Sequence, residues 1–338
     1  MIRPLDYLDL PVDLLPAQPT KAYNTFWRFA AERQAIFFRK HQHHSPPWTC
    51  DSVLRMYKFT NAYRAADRVS QYLIRRVIYE GDQQLSHVFF RVILFKLFNK
   101  IETWELLESQ FGELSYSRRL LSSIDRALSK ALANGVRVYS AAYIMPSGGT
   151  RFSTRHKHSA HLQLLSTMME DSAYDRLASY KTMSQAFELL RSYPMIGDFL
   201  AYQFVTDLNY STITDYSEME FVVPGPGAKD GIAKCFSDLG GLTEPEIIRV
   251  VADRQESEFE RLGLAFQSLW GRRLQLIDIQ NLFCEVSKYT RVVHPEMNGT
   301  SGRHRIKQKY APAEDQIEYW FPPKWNINVA SDVGTGRN

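Results

Sequence analysis

Cysteine is scarce. Three residues in 338, Cys50, Cys235 and Cys284, lie far apart. No CxxC pair and no Cys/His set at zinc spacing occurs, and an odd count argues against a disulfide framework. Four closely set thiolates for an iron–sulfur cluster are likewise missing. His41, His43 and His44 are clustered but lack acidic or thiol neighbours, so they read as a solvated loop rather than a metal site. Long hydrophobic runs are also missing. The longest, HVFFRVILFKLF, is interrupted by Arg91 and Lys96 and falls short of the roughly 20 apolar residues that cross a bilayer. The first residues, MIRPLDYLDLPVDLLP, carry acids and prolines where a secretory leader needs an apolar core. The expectation is a soluble chain in a reducing cytoplasm, with no membrane partner. No internal repeat, no low-complexity tract and no phosphate-binding G-x-x-x-x-G-K-[ST] loop occurs in the sequence.

Apolar residues make up 44% and charged residues 23%, values of a globular chain that exclude wholesale disorder. The net charge of +4 hides a division. Lys21 to Lys100 holds 14 Lys+Arg against 5 Asp+Glu, a net of +9, and Ala201 to Glu260 holds 4 against 12, a net of −8. The split suits a polyanion-facing surface beside a carboxylate-bearing pocket, or two solvated faces that offset one another.

Helical spacing dominates between proline-rich breaks at Pro46-Pro47, Pro224/Pro226 and Pro322-Pro323. Val69, Tyr72, Leu73 and Val77 share a helical face. So do Leu120, Leu121, Ile124, Leu128 and Leu132, with Gly135 as the expected stop. Val88 to Phe98 is apolar nearly all round and reads as a buried helix. Lys229 to Phe236 reads as another, and Val136 to Ile144 as a short strand or extended passage. The chain is expected to be mostly α.

The segment SYPMIGDFLAYQFVTDLNY predicts helices over Met183–Tyr193 and Asp198–Leu208 joined by Pro194-Met195-Ile196-Gly197. This is the layout of a helix-hairpin-helix. Glycine lets backbone approach a phosphate, and the second helix presents free N–H groups and its positive dipole end. Ile196 and Gly197 are therefore candidate DNA-binding residues. Met195 stands where the usual pattern has glycine, and Asp198 repels a phosphate unless it caps the helix. Downstream, Asp215, Glu218 and Glu220 precede Pro224-Gly225-Pro226-Gly227, which suits close approach to a ligand or serves as a rigid turn.

The blocks FTNAYRAADRVSQYL (Phe59 to Leu73), LFKLFNKIETWELL (Leu94 to Leu107), YIMPSGG (Tyr143 to Gly149), FLAYQFVTDLNYS (Phe199 to Ser211), EFVVPGPGAKDGIAKCF and FCEVSKYTR (Phe283 to Arg291) together resemble one family. It is the α-glutamyl/putrescinyl-thymine pyrophosphorylase-like family, also known as the helical domain of hydroxymethyluracil DNA kinases. The resemblance implies a helix-hairpin-helix DNA glycosylase-like fold with two helical lobes and a cleft between them. The implied division is 1–46 as an N-terminal extension with the first helix, 47–300 as the core with the hairpin at about 183–210, and 301–338 as a basic arm and tail. It further implies action on hypermodified pyrimidines in phage DNA. Lacking a kinase loop, the sequence is similar to a free-standing defence member. The first expectation is thus a monofunctional DNA glycosylase that flips out and excises a bulky 5-modified pyrimidine, α-glucosyl-5-hydroxymethylcytosine, as antiviral defence. The alternative is a transferase that displaces pyrophosphate from phosphorylated 5-hydroxymethyluracil in DNA with an amine or amino acid. Double-stranded DNA with modified bases is the expected partner, with no cofactor, metal or obligate protein partner.

Cleaving an N-glycosidic bond builds positive charge on the deoxyribose, which calls for a carboxylate near C1′ and a pocket for an extruded base. Glu220, Glu218 and Asp207 are the catalytic candidates, each with a surface or capping role as the plain alternative. Asn99, Glu102, Trp104, Asn61, Tyr63, Gly225 and Gly227 are candidates for the base pocket, Asn99 to read the base edge and Trp104 to stack on it. Arg64, Arg68, Gly148, Gly149, Arg151, Lys157, Lys229 and Lys288 join Ile196 and Gly197 as DNA-binding candidates. Phe199 and Leu200 occupy the place of the Schiff-base lysine that strand-nicking glycosylases carry, hence "monofunctional". Arg303 to Lys309 (RHRIKQK) reads as a backbone-contacting arm or a solvated loop, and residues after Ala330 as a disordered tail.

Overall fold

The computed structural model describes residues 14, 16–141, 145–148, 152, 154, 156–311 and 318–327. Gly149, Arg151 and the tail after Ala330 lie outside them. Among the described residues the chain forms fourteen α-helices. In order these are α1 (Lys21–His41), α2 (Ser52–Met56), α3 (Arg68–Tyr72), α4 (Leu85–Phe98), α5 (Ile101–Phe111), α6 (Arg118–Ala133) and α7 (Lys157–Glu170). They continue with α8 (Ala173–Ser179), α9 (Met183–Arg191), α10 (Asp198–Leu208), α11 (Pro226–Cys235), α12 (Glu244–Asp253), α13 (Gln255–Arg261) and α14 (Leu276–Val293). Two short strands, β1 (Gln18–Pro19) and β2 (Phe236–Asp238), pair antiparallel. Among the described residues no helix is long and apolar enough to cross a membrane.

The chain divides into two compact units that do not follow the sequential three-part division. Unit 1 comprises residues 1–67, 218–319 and 325–338; unit 2 comprises 68–217 and 320–324. The first helix belongs to the core of unit 1. Thr20 caps α1, accepting from the Ala22 N–H at 3.2 Å while its own hydroxyl donates to the Lys234 carbonyl. The helix ends on Arg39, Lys40 and His41, which complement its dipole. It is buried along most of its length against α11, α13 and α14. Aromatic contacts knit this core: Phe26 with Phe283 at 4.6 Å, Trp27 with Phe259 at 5.0 Å and Phe29 with Tyr289 at 5.2 Å between ring centroids. Residues 308–310 of the C-terminal arm are also tied to unit 1. Lys58 N–H donates to Gln308 O at 3.0 Å and Tyr310 N–H to Met56 O at 2.9 Å, so residues 308–310 pair antiparallel with 56–58.

Unit 2 is built around α4, in which every residue from Val88 to Phe98 is buried. It packs on α7, α8 and α10. Burying each of Phe89, Phe90 and Phe95 contributes about 1.5–3 kcal/mol. The run Val69 to Val77 is α-helical only to Tyr72, and Leu73–Ile78 continues as a π-helix. The widened turn leaves carbonyls that Arg91 takes up: Nε donates to Val77 O at 2.8 Å and Nη2 to Ile78 O at 3.1 Å. α6 buries Leu121, Ile124, Leu128 and Ala131 and stops before Gly135 at φ +77°. The passage expected as a short strand or an extended stretch forms no strand over residues 136–141, and 142–144 lie outside the described residues.

Candidate functional site

In unit 1 the loop between Thr60 and Asp67 gathers several of the residues singled out from sequence. Three carboxyl groups each receive one of its backbone N–H groups. Glu285 Oε2 accepts from Thr60 at 3.0 Å, Asp67 Oδ1 from Asn61 at 2.8 Å and Asp278 Oδ1 from Arg64 at 2.8 Å. From α1, the buried Arg33 donates to Thr60 O at 2.9 Å and to Asn61 Oδ1 at 3.0 Å, while Asn61 Nδ2 donates to Ala66 O at 2.7 Å. Lys288 matches Glu285 at 2.7 Å, one helical turn along α14. Tyr63 donates its hydroxyl hydrogen to Arg272 O at 2.6 Å and accepts from Leu269 N–H at 3.2 Å. Arg272 pairs with Glu218 at 2.8 Å and lies over the Trp325 ring at 3.8 Å.

Two of these carboxyls are poised near neutrality. Burial pushes Asp67 up to about 7, against the pull of the Asn61 N–H. The residue keeps part of its surface exposed, so it is the desolvated carboxyl end that carries the shift. Burial also pushes Asp278 up to about 7, although the Gln275 and Arg64 N–H groups stabilise its anion. A group with such a value exchanges protons readily at neutral pH. Arg33, Asp67, Arg272 and Asp278 were not among the sequence candidates. Their signal was chemical type alone, since they come from three separate stretches of chain.

In unit 2, Asp207 and Asn99 meet through a residue the sequence reading had treated only as an interruption. Lys96 Nζ lies 3.0 Å from Asp207 Oδ2 and donates to Asn99 Oδ1 at 2.7 Å. All three are buried. A charge in this apolar helix is tolerable only with such partners. Asn99 ends α4 at φ +47°, a left-handed conformation that asparagine adopts more readily than most residues.

α9 and α10 are joined by a short turn, and α9 is opened by a Thr182/Gln185 capping box. Met195 takes φ +66°, the conformation that glycine supplies in the usual pattern. Asp198 is exposed and paired with Arg191 at 2.6 Å, which offsets its charge. Gly197 is the exposed N-cap of α10, whereas the Ile196 side chain is buried. Gly148 sits on Ala160, where an added Cβ would come within 2.5 Å, and near Met195 Sδ. The glycine loop and the hairpin turn are thus neighbours within unit 2.

The remaining candidates are spread over both units. Trp104 is a core residue, edge-on to Phe95 at 6.0 Å in an apolar seam with Leu94, Phe98 and Leu107, so its ring is not open to a base. Glu102 is exposed and 3.1 Å from Lys100. Arg64 is buried and engages through its backbone N–H, not as a surface cation. Arg68 is exposed, and Lys157 lies over the Tyr139 ring at 4.8 Å. Lys229 is exposed, 3.8 Å from Glu244. Glu220 is exposed and engages through its carbonyl, which accepts from Arg249 Nη2 at 2.7 Å. Gly225 caps α11, but Gly227 meets a packing demand. A Cβ there would come within 2.3 Å of Cys284 Sγ, and at Gly231 within 2.0 Å of Phe283 O. Gly227-x-x-x-Gly231 is where α11 lies directly on α14.

Residues 20–299 match a family described as 5-hmdU DNA kinase, helical domain. A relative named 5-hmdU DNA kinase, from Bacillus phage SP10, is 26% identical over 348 aligned residues, covering 95% of this chain and 54% of the relative. The chain therefore spans about half the length of that curated relative. No solved structure matches it. These findings correct the expectation of a monofunctional, hydrolytic DNA glycosylase: the relative that covers nearly the whole chain carries the name of a transferase.

Proposed function

The chain belongs to the 5-hmdU DNA kinase helical-domain family, and from that membership we propose that it acts on 5-hydroxymethyluracil-derived bases in DNA as a group transferase. The observation that carries the reading is the match over residues 20–299, which takes in segments of both units. The sequence has no G-x-x-x-x-G-K-[ST] loop. We therefore assign to this chain the step on the already phosphorylated base: displacement of pyrophosphate by an amine or amino acid.

In that step the amine nitrogen attacks the methylene carbon at C5. The C–N bond forms, the C–O bond breaks, pyrophosphate leaves, and the new ammonium gives up a proton. Asp67, with a carboxyl raised to near neutrality, suits that proton. Asp207 with Lys96 and Asn99, and Glu218 with Arg272, remain the proposed polar centres of the two units. The α9–α10 turn, with the exposed Gly197 and a neutralised Asp198, supports a helix-hairpin-helix mode of holding DNA phosphate.

The test is incubation of the protein with duplex carrying 5-(pyrophosphoryloxymethyl)uracil and an amine. Pyrophosphate and nucleoside masses are then measured. Pyrophosphate release with an aminated base still on its sugar is expected. An unchanged substrate, or abasic sites without pyrophosphate, would overturn the reading. So would ATP-dependent phosphorylation of 5-hydroxymethyluracil DNA by this chain, which would assign it the kinase step instead.

A further inference from the structure

The run Arg303-His304-Arg305-Ile306-Lys307-Gln308-Lys309 places a cation at every second position. In extended chain, alternate side chains share a face and stand about 6.6–6.8 Å apart. That is close to the separation of successive phosphates along a nucleic-acid strand. The structure fixes this run to unit 1. Its far end pairs with residues 56–58 through Gln308 O and Tyr310 N–H, and Arg291 Nη1 donates to Arg305 O at 3.2 Å. Ile306 is half-buried, and residues 303–305 and 307–309 on either side of it are exposed.

Further cations flank the run. Arg55 and Lys58 are exposed on and beside the paired segment. Lys288 reaches Lys58 O at 3.4 Å from α14, and Arg291 lies one turn further along the same helix. Burial holds the Arg291 guanidinium below its usual value, and the charge of Arg303 pushes the same way. Lys288 is matched by Glu285. Among the described residues no ion pair engages Arg303, Arg305, Lys307 or Lys309. An ordered row of exposed, unmatched cations on a strapped backbone carries a strong positive field at little cost in ordering entropy on binding. Met56, 46% exposed, adds apolar surface at the edge of the row.

We propose that Arg303, Arg305, Lys307 and Lys309, with Arg55 and Lys58, form a track for the sugar–phosphate backbone of DNA. The track contacts phosphates without reading bases. It rests on the proposed function only for the identity of the polyanion. Binding and turnover are measured separately, so failure of one is distinguishable from failure of the other.

The test is fluorescence anisotropy of a labelled unmodified duplex over a salt series. The native chain is compared with the triple variant Arg303→Glu, Arg305→Glu, Lys307→Glu. A charge-matched control carries Arg119→Glu, Arg126→Glu and Lys130→Glu on the exposed face of α6. The track variant is expected to lose about 3 from the slope of log K against log salt, and about tenfold or more in affinity near 0.15 M salt. The control is expected to keep the native slope. Equal losses in both variants, or none in the track variant, would overturn the proposal. So would binding to phosphatidylglycerol vesicles without binding to DNA. Because the altered side chains are exposed, unchanged melting and circular dichroism separate loss of binding from loss of fold. The milder Arg303→Ala, Arg305→Ala pair is expected to lower the slope by about 2.

Discussion

Asp67 and Asp278 resemble each other in protonation but differ in what their oxygens do. Both carboxyls are raised to about 7 by burial, so between about pH 4 and 7 the folded chain holds protons that the unfolded chain has released. Stability contributed by these groups is full below the unfolded value, falls as pH rises through that window and levels off above it. Asp67→Asn keeps an oxygen for the Asn61 N–H and removes the titration. Chemical denaturation at a series of pH values should therefore show a shallower fall in stability between pH 4 and 7 for this variant; an unchanged slope would sink the assignment. Asp278 is different, because Oδ1 accepts from Arg64 and Oδ2 from Gln275 at 2.9 Å. An amide offers only one acceptor, so Asp278→Asn leaves a buried N–H facing an NH₂ group. A loss of about 1–3 kcal/mol in unfolding free energy is expected at any pH. Neither residue could be found by scanning the sequence, because each is given its character by partners from distant stretches. Lys96 was visible and misread. A lone lysine in LFKLF was a sign of a buried partner as much as of a broken apolar run.

The elements were more legible than the residues wherever periodicity and turn chemistry agreed. The predicted Met183–Tyr193 and Asp198–Leu208 appear as Met183–Arg191 and Asp198–Leu208, because a capping box, a Pro-x-x-Gly turn and an apolar face all act in one direction. Val88 to Phe98 is buried throughout, as its all-round apolarity requires. The π-helix at Leu73–Ile78 was not legible, since Arg91, which takes its carbonyls, lies on another helix. Gly227 was read as approaching a ligand or forming a rigid turn, and Gly231 was not singled out, because a sequence shows that a residue is small and not what it lies against. The packing account makes a graded prediction. Gly231→Ala drives Cβ into the Phe283 carbonyl, which is backbone and cannot turn aside, so a loss of more than about 2 kcal/mol is expected. Gly227→Ala strikes the Cys284 thiol, with Cys284 Cβ next at 3.3 Å. It should be partly rescued by Cys284→Ala, whereas Gly231→Ala should not. A double-mutant cycle from urea melts reads the difference; equal behaviour of the two glycines would contradict direct contact of α11 with α14 at these positions.

At the scale of the whole molecule, the chain passes between the units at 67/68, 217/218, 319/320 and 324/325. Neither unit is closed by a single contiguous segment. The division at 46 and 300 implied by the resemblance runs along the chain, and could not show that five residues near the C-terminus complete unit 2. Those residues are tied in by specific contacts. Trp320 meets Tyr79 edge-on at 4.6 Å, and its N–H donates to Gln71 at 2.8 Å. Lys324 Nζ donates to the carbonyls of Ser211 at 3.0 Å and Thr214 at 2.5 Å. The stretch just after α10, which leads from Asp207 toward the next unit, thus depends on a lysine more than 100 positions away in sequence. Lys324→Ala removes the donor from two carbonyls at once, and Trp320→Ala removes the aromatic anchor. Each is expected to lower the melting temperature of unit 2 by a few degrees, in line with about 1 kcal/mol for a unit of this size. The discriminating readout is hydrogen exchange. Amides over residues 209–216 should exchange faster in Lys324→Ala while those of α11 and α14 in unit 1 keep their protection. Acceleration spread evenly over both units would mean that the C-terminal segment stabilises the molecule without belonging to unit 2, and the boundary drawn at 320–324 would have to be abandoned.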